Sequence, residues 1–196
     1  MRKYIPLTLI PDSSSGISVP VLMTQVMEKL HQRFVQIKDK DDLIPIGISF
    51  PDYQLKPPLL GNFVRIHGEE DALNFLNIDE HIKPLQDYIH IAKPRPVPKM
   101  KLKGYVSYAR IRFDRGKDIL IRRHMNRHGS TMDEAKQLYA SYKKRDPKKF
   151  PFILMRSKSS GNQPYPLYLK QFIHDCPGDK YFNTFGIKFG NGVEWF

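Results

Sequence analysis

The sequence predicts an α+β protein, with an N-terminal ferredoxin-like βαββαβ domain followed by a smaller C-terminal α+β domain that carries an arginine-rich helix. Three observations predict it. Through residue 93, segments with strand and helix periodicity alternate in the order β-α-β-β-α-β. KPRPVPK, 93–99, then places three prolines in seven residues without apolar periodicity. It reads as a stiff linker, 94–99, between domains 1–93 and 100–196. Beyond it, the segment 95–150 carries 17 Lys and Arg against 5 Asp and Glu, a net +12 that equals the formal charge of the whole chain.

Each element has its own warrant. KYIPLTLI, 3–10, is rich in apolar and β-branched residues and reads as a strand, and PDSSSG is a loop. Ser18 and Pro20 open a helix on which Met23, Val26, Met27, Leu30 and Phe34 recur at helical spacing through about Val35. His31 lies at the edge of that stripe. IPIGISF, 44–50, and NFVRIH, 62–67, read as strands joined by a proline-rich loop. EEDALNFLN, 69–77, has the acidic first turn of a helix, and YIHIAK, 88–93, closes the series as a strand. In the second half KGYVSYARIRF, 103–113, is a strand, and a basic helix follows from about Lys117 to Arg127, with Gly129 as its stop. Thr131 and Glu134 form a capping-box pattern for a helix through about Lys144. FILMR, 152–156, the polar loop SKSSGNQP, 157–164, the apolar stretch YPLYLKQFI, 165–173, and a glycine-rich end complete the chain.

Composition narrows the function. The 196 residues, 40% hydrophobic, are enough to bury a core. Cys176 is the single cysteine, which excludes an internal disulfide or a cysteine-cluster metal site and fits a reducing cytoplasm. Apolar runs are short and broken by charge or proline, so neither a membrane span nor a signal peptide is expected. Segment 110–127 holds Arg110, Arg112, Arg115, Lys117, Arg122, Arg123 and Arg127 against only Asp114 and Asp118. That density points to a polyanion, and nucleic acid is favoured over a membrane surface because no broad aromatic and aliphatic face accompanies the charge. Arg110 and Arg112 alternate along a strand and share a face, and arginine forks can grip guanine edges as well as phosphates. His124 and His128 stand four residues apart, but no HExxH pattern surrounds them and neighbouring guanidiniums repel cations. Phosphate contact or packing suits them better than a metal. No GxSxG elbow and no cluster of acids appears, so any chemistry is expected to need neither a metal nor a small-molecule cofactor. Taken alone, His31 reads as structural.

As an ordered set, KLHQRF around His31, IGISFPD at 46–52, RIH at 65–67, RRHMNRH at 122–128, RSKSSG at 156–161 and FGIKFGNGVEWF at the end are specific. They resemble the type I-F CRISPR-associated endoribonuclease family, which processes precursor CRISPR RNA. The resemblance implies a catalytic histidine at His31 and a catalytic serine at Ser157. It implies an arginine-rich helix at Arg122, Arg123, Arg127 and His128, base-reading residues at Arg110 and Arg112, and a phosphate-contacting serine at Ser159. Allowing one inserted residue, it implies an aromatic at Tyr165 that stacks on the base beside the cut. It further implies a repeat-RNA hairpin as substrate and other subunits of a CRISPR surveillance complex as partners. The chain departs from the family at Phe185, where the family pattern has a tyrosine before the glycine of the terminal loop. Phenylalanine cannot donate a hydrogen bond, so His31 is expected to be oriented by packing or by another donor, one candidate being the same terminal loop. The rival reading is a non-catalytic structured-RNA-binding protein of ribosomal or assembly type.

Overall fold

The computed structural model describes residues 2–113, 117–141, 146–157 and 161–196, with position 157 described through its backbone alone. The first half runs β1 (Lys3–Leu9), α1 (Val19–Ile37), β2 (Leu43–Ile44), β3 (Gly47–Ser49), β4 (Gln54–Leu55), β5 (Pro58–Leu59), β6 (Phe63–Gly68), α2 (Glu70–Leu76), α3 (Ile78–Ile82) and β7 (Ile89–Ile91). The second runs β8 (Arg95–Pro96), β9 (Gly104–Ile111), α4 (Lys117–His128), α5 (Met132–Leu138), β10 (Phe152–Ser157), β11 (Gln163–His174), β12 (Phe182–Asn183) and β13 (Val193–Trp195). The protein is α+β, built on two antiparallel sheets.

In the first sheet the strand order is β3-β6-β1-β7. Alternation along β1 buries Ile5, Leu7 and Leu9 on one face, and the register sets Ile5 opposite Ile66 and Leu7 opposite Val64. Onto that layer α1 lays Leu22, Met23, Val26, Met27, Leu30 and Phe34, all buried. Removing the Phe34 ring would cost about 3–5 kcal/mol. The second sheet has the order β10-β11-β9-β13, and β10 turns Ile153 and Met155 inward, where it packs against α1. Buried residues from both halves form one apolar cluster, and α1 sits within it.

Two polar devices tie the halves together. Tyr108 on β9 is buried, and its hydroxyl accepts from the Phe50 N–H at 3.0 Å and from Gln171 Nε2 at 3.1 Å while facing the Phe50 carbonyl at 3.3 Å. Burial pushes its pKa up to about 12. Close by, Glu194 on β13 meets His67 Nδ1 at 3.3 Å and Arg2 at 3.8 Å, while His67 Nε2 and the Ser49 hydroxyl, next to Phe50 in the chain, are 2.8 Å apart. The His67–Glu194 contact is a close polar approach and not an aligned hydrogen bond.

Several expectations need correction. IPIGISF is not one strand: Pro45, which has no N–H to give a ladder, separates β2 from β3, and β2 pairs instead with β12. The proline-rich loop before β6 contains the small β4–β5 hairpin, and a second short helix, α3, follows α2. Within the linker, Arg95 and Pro96 pair with Tyr4 and Lys3, so the prolines lie along the sheet edge. Thr131 and Glu134 do form a capping box, but α5 ends at Leu138, not near Lys144. Its only buried residue is Ala135, so no apolar face extends the helix past Tyr139, and residues 142–145 lie outside the described residues. The polar loop after β10 is shorter than expected because β11 begins at Gln163, and the glycine-rich end contains a strand, β13, that its composition does not announce.

Candidate active site and nucleic-acid interface

His31 projects from the fourth turn of α1, half-buried, beside the segment that follows β12. Its Nδ1 lies 2.7 Å from the main-chain oxygen of Thr184. A carbonyl oxygen only accepts, so this contact requires the hydrogen on Nδ1 and leaves the Nε2 of the neutral ring with its lone pair free. The Phe185 ring lies flat on the imidazole, with centroids 4.2 Å apart and planes within 1°. Packing on Phe185 fixes the ring plane, and in place of the expected donor an acceptor of the terminal loop, the Thr184 carbonyl, fixes its rotation.

Ser157 ends β10, opposite Gln163 of β11. Its side chain lies outside the described residues, as does the whole of Ser159. The two candidate catalytic positions nonetheless stand on elements that pack together. Glu28, one turn before His31 on α1, has Oε1 4.0 Å from Nε of Arg156, the residue immediately before Ser157. Tyr165 sits opposite Met155 on β11, and the Arg110 guanidinium lies 5.2 Å from the centre of its ring. Arg110, expected on the strand before the basic helix, thus contacts the aromatic expected beside the cut. Arg112 is exposed one residue beyond the end of β9.

The basic helix α4 buries only Ile121. Arg122, Arg123, Arg127 and His128 are all exposed, and among the described residues no ion pair engages them. The rings of His124 and His128 lie 4.6 Å apart, with Tyr139 of the α5 C-cap 5.9 Å from His124. The two rings pack on each other, one of the two roles, phosphate contact or packing, left open for them by the sequence. Arg127 and His128 occupy the last turn, where a positive charge suits the helix dipole. Arg115 lies outside the described residues. Among the described residues no group of three or more His, Cys, Asp or Glu is placed to hold a metal, and no helix is long and apolar enough to cross a membrane.

A family model described as CRISPR-associated protein (Cas_Csy4) matches residues 4–196. The chain belongs to the Cas_Csy4 family. It is 29% identical over 198 residues to the CRISPR-associated endonuclease Cas6/Csy4 of Pseudomonas aeruginosa (strain UCBPP-PA14), the match covering 100% of both chains. To the CRISPR-associated endonuclease Cas6/Csy4 of Escherichia coli (strain UTI89 / UPEC) it is 28% identical over 197 residues, again across 100% of both. In this Cas_Csy4 member, sequence reasoning did not single out Thr184 or Asn183, on which the histidine's surroundings are built. A main-chain acceptor has no residue signature. The available signal was Gly186 just after them, held at φ +71°, where a Cβ would meet Ile48 at 2.7 Å.

Proposed function

We propose that this chain is an endoribonuclease of CRISPR RNA processing. It binds the stem-loop of the repeat RNA, cuts at the 3′ side of the stem base without a metal, and keeps the mature guide RNA bound. The observation that carries the reading is the held imidazole of His31: Nδ1 on the Thr184 carbonyl, the ring stacked on Phe185, and Nε2 left as a base. In the proposed step Nε2 removes the proton from a ribose 2′-hydroxyl. That oxygen bonds to the adjacent phosphorus, the bond from phosphorus to the 5′-oxygen breaks, and the leaving oxygen takes a proton from solvent. The products are a 2′,3′-cyclic phosphate and a 5′-hydroxyl. Because the nucleophile belongs to the RNA, the protein need supply only a base and alignment.

Ser157 is assigned to align the hydroxyl and Ser159 to contact phosphate. Tyr165 is assigned to stack on the base beside the cut, with Arg110 against the aromatic ring. Arg112, Arg115, Arg122, Arg123, Arg127 and His128 are assigned to dock the A-form stem, with base reading confined to its lower end, where the narrow major groove opens. The order β3-β6-β1-β7 supports a ferredoxin-like reading of the first half, with residues 1–93 and 100–196 as two domains joined by 94–99. Other subunits of a cytoplasmic surveillance complex belong to the same proposal.

The test is incubation of the protein with its repeat RNA in EDTA. Cleavage to a cyclic phosphate is expected. Loss of cleavage that a divalent ion restores would overturn the reading, and binding without cleavage under every condition would favour the non-catalytic alternative.

A further inference from the structure

We propose that Asn183, outside reach of the RNA chemistry itself, is a positioning residue that sets the tautomer of His31. The proposal rests on the reading of His31 as the general base. Asn183 gathers the terminal loop around itself. Its Oδ1 accepts from the Phe185 N–H at 2.9 Å and from the Ile187 N–H at 3.3 Å. Its main chain closes the same turn, with the Gly186 N–H 2.8 Å from the Asn183 carbonyl and the Asn183 N–H 3.3 Å from the Ile187 carbonyl. The residue is fixed in turn by the pairing of β12 with β2, in which Asn183 faces Leu43.

The far side of the turn is held as firmly. The Gly186 carbonyl accepts from the Ile48 N–H of β3 at 2.8 Å, and a Cβ on Gly186 would come within 2.7 Å of Ile48 and 3.1 Å of Phe34. Between these anchors lie Thr184 and Phe185, one presenting its carbonyl to Nδ1 and the other its ring to the imidazole plane. The Asn183 amide oxygen is therefore the side-chain group that shapes the segment touching the histidine. Without it, the Phe185 and Ile187 N–H groups lose their acceptor, the turn opens toward water, and the Thr184 carbonyl swings away from Nδ1. A neutral imidazole released from that acceptor is free to carry its hydrogen on Nε2, and in that form Nε2 cannot take a proton.

Nitrogen-15 NMR of the free protein, at a pH where the ring is neutral, reads this directly. Wild type is expected to show His31 protonated at Nδ1. Asn183→Ala is expected to move the ring toward the Nε2–H form and to lower the single-turnover cleavage rate by about 10- to 100-fold, with hairpin affinity unchanged. Asn183→Asp keeps the acceptor and is expected to restore both the tautomer and most of the rate. Should Asn183→Ala fail to fold, Asn183→Ser, which can reach only one of the two N–H groups, is expected to give an intermediate tautomer ratio and rate. A tautomer that does not move in the Ala or Ser variant, or a rate loss without a tautomer change, would overturn the positioning role. His31→Ala cleaving at the wild-type rate would instead overturn the reading of His31 as base, whatever the tautomer of the Asn183 variants.

Discussion

The loop around His31 and the helix α4 are built on opposite principles. Around His31, the histidine ring is stacked and hydrogen-bonded, and the Asn183 turn that supports it is closed by its own hydrogen bonds and pressed against Ile48 and Phe34. Along α4, one residue is buried and the arginines stand in solvent without acidic partners among the described residues. A reacting group gains from being held before substrate arrives, since misplacement costs rate directly. A phosphate-docking surface gains from staying solvated and unpaired, since its strength comes from counterions released when the polyanion binds. In the proposed function, chemistry and affinity thus fall on separable parts of the chain.

Separability is testable. The largest effect is expected from His31→Ala, which should slow cleavage by about 10² to 10⁴ while hairpin affinity, measured by filter binding, stays at the wild-type value. A parallel loss of affinity would merge the two regions. The converse variant, Arg123→Ala with Arg127→Ala, should weaken binding and flatten its log-log salt dependence by about 0.7 to 0.9 for each phosphate that is no longer neutralised. An unchanged slope would move the RNA off α4. Next in size, Phe185→Leu should lower the cleavage rate on the order of tenfold by loosening the ring, with affinity intact, whereas Phe185→Tyr keeps the stack and should stay closer to wild type. A change in affinity alone would show that position 185 does not support the histidine.

Two smaller effects separate the regions through stability. Thr131→Ala removes the α5 cap and should cost about 1 kcal/mol in chemical denaturation, because α5 is the element packed on α4. Acid should act on the organised side instead. Burial pushes the His67 pKa down, with the Glu194 contact only partly offsetting it, so His67 is neutral in the fold while the unfolded chain takes up a proton below about 6.5. Its contribution is complete above that pH and is lost as pH falls toward the folded value. Glu194 is pushed up by burial, but the His67 contact, a backbone hydrogen bond and Arg2 together leave it net lowered, so its contribution is lost further down, below about 4.5. A melting temperature that declines from about pH 7 to about pH 4 is expected, and a flat profile would show that neither group is linked to folding.

Legibility in the sequence followed the same division. The α1 stripe and the Thr131–Glu134 box were readable because their signals are local and periodic. The charge of segment 110–127 was readable because charge needs no geometry. β12 and β13, two and three residues long, carry no period, and their partners lie far away in the chain. The split at Pro45 was present as a residue but was outweighed by the apolar run around it. At the site, His31 alone looked structural and gained a role only through resemblance. The Thr184 carbonyl could not be read at all, because any residue there would offer the same oxygen.

In the proposed reaction the fold holds a base in place and the RNA supplies its own nucleophile. A repeat hairpin carrying a single 2′-deoxy nucleotide immediately upstream of the cut isolates that step, when it is incubated with wild-type protein and followed by gel and by binding titration. Wild-type affinity is expected, with the substrate intact over times at which the all-ribose hairpin is fully cut. Cleavage of the deoxy hairpin, leaving a 3′-hydroxyl or a linear phosphate, would contradict this mechanism and point to an activated water.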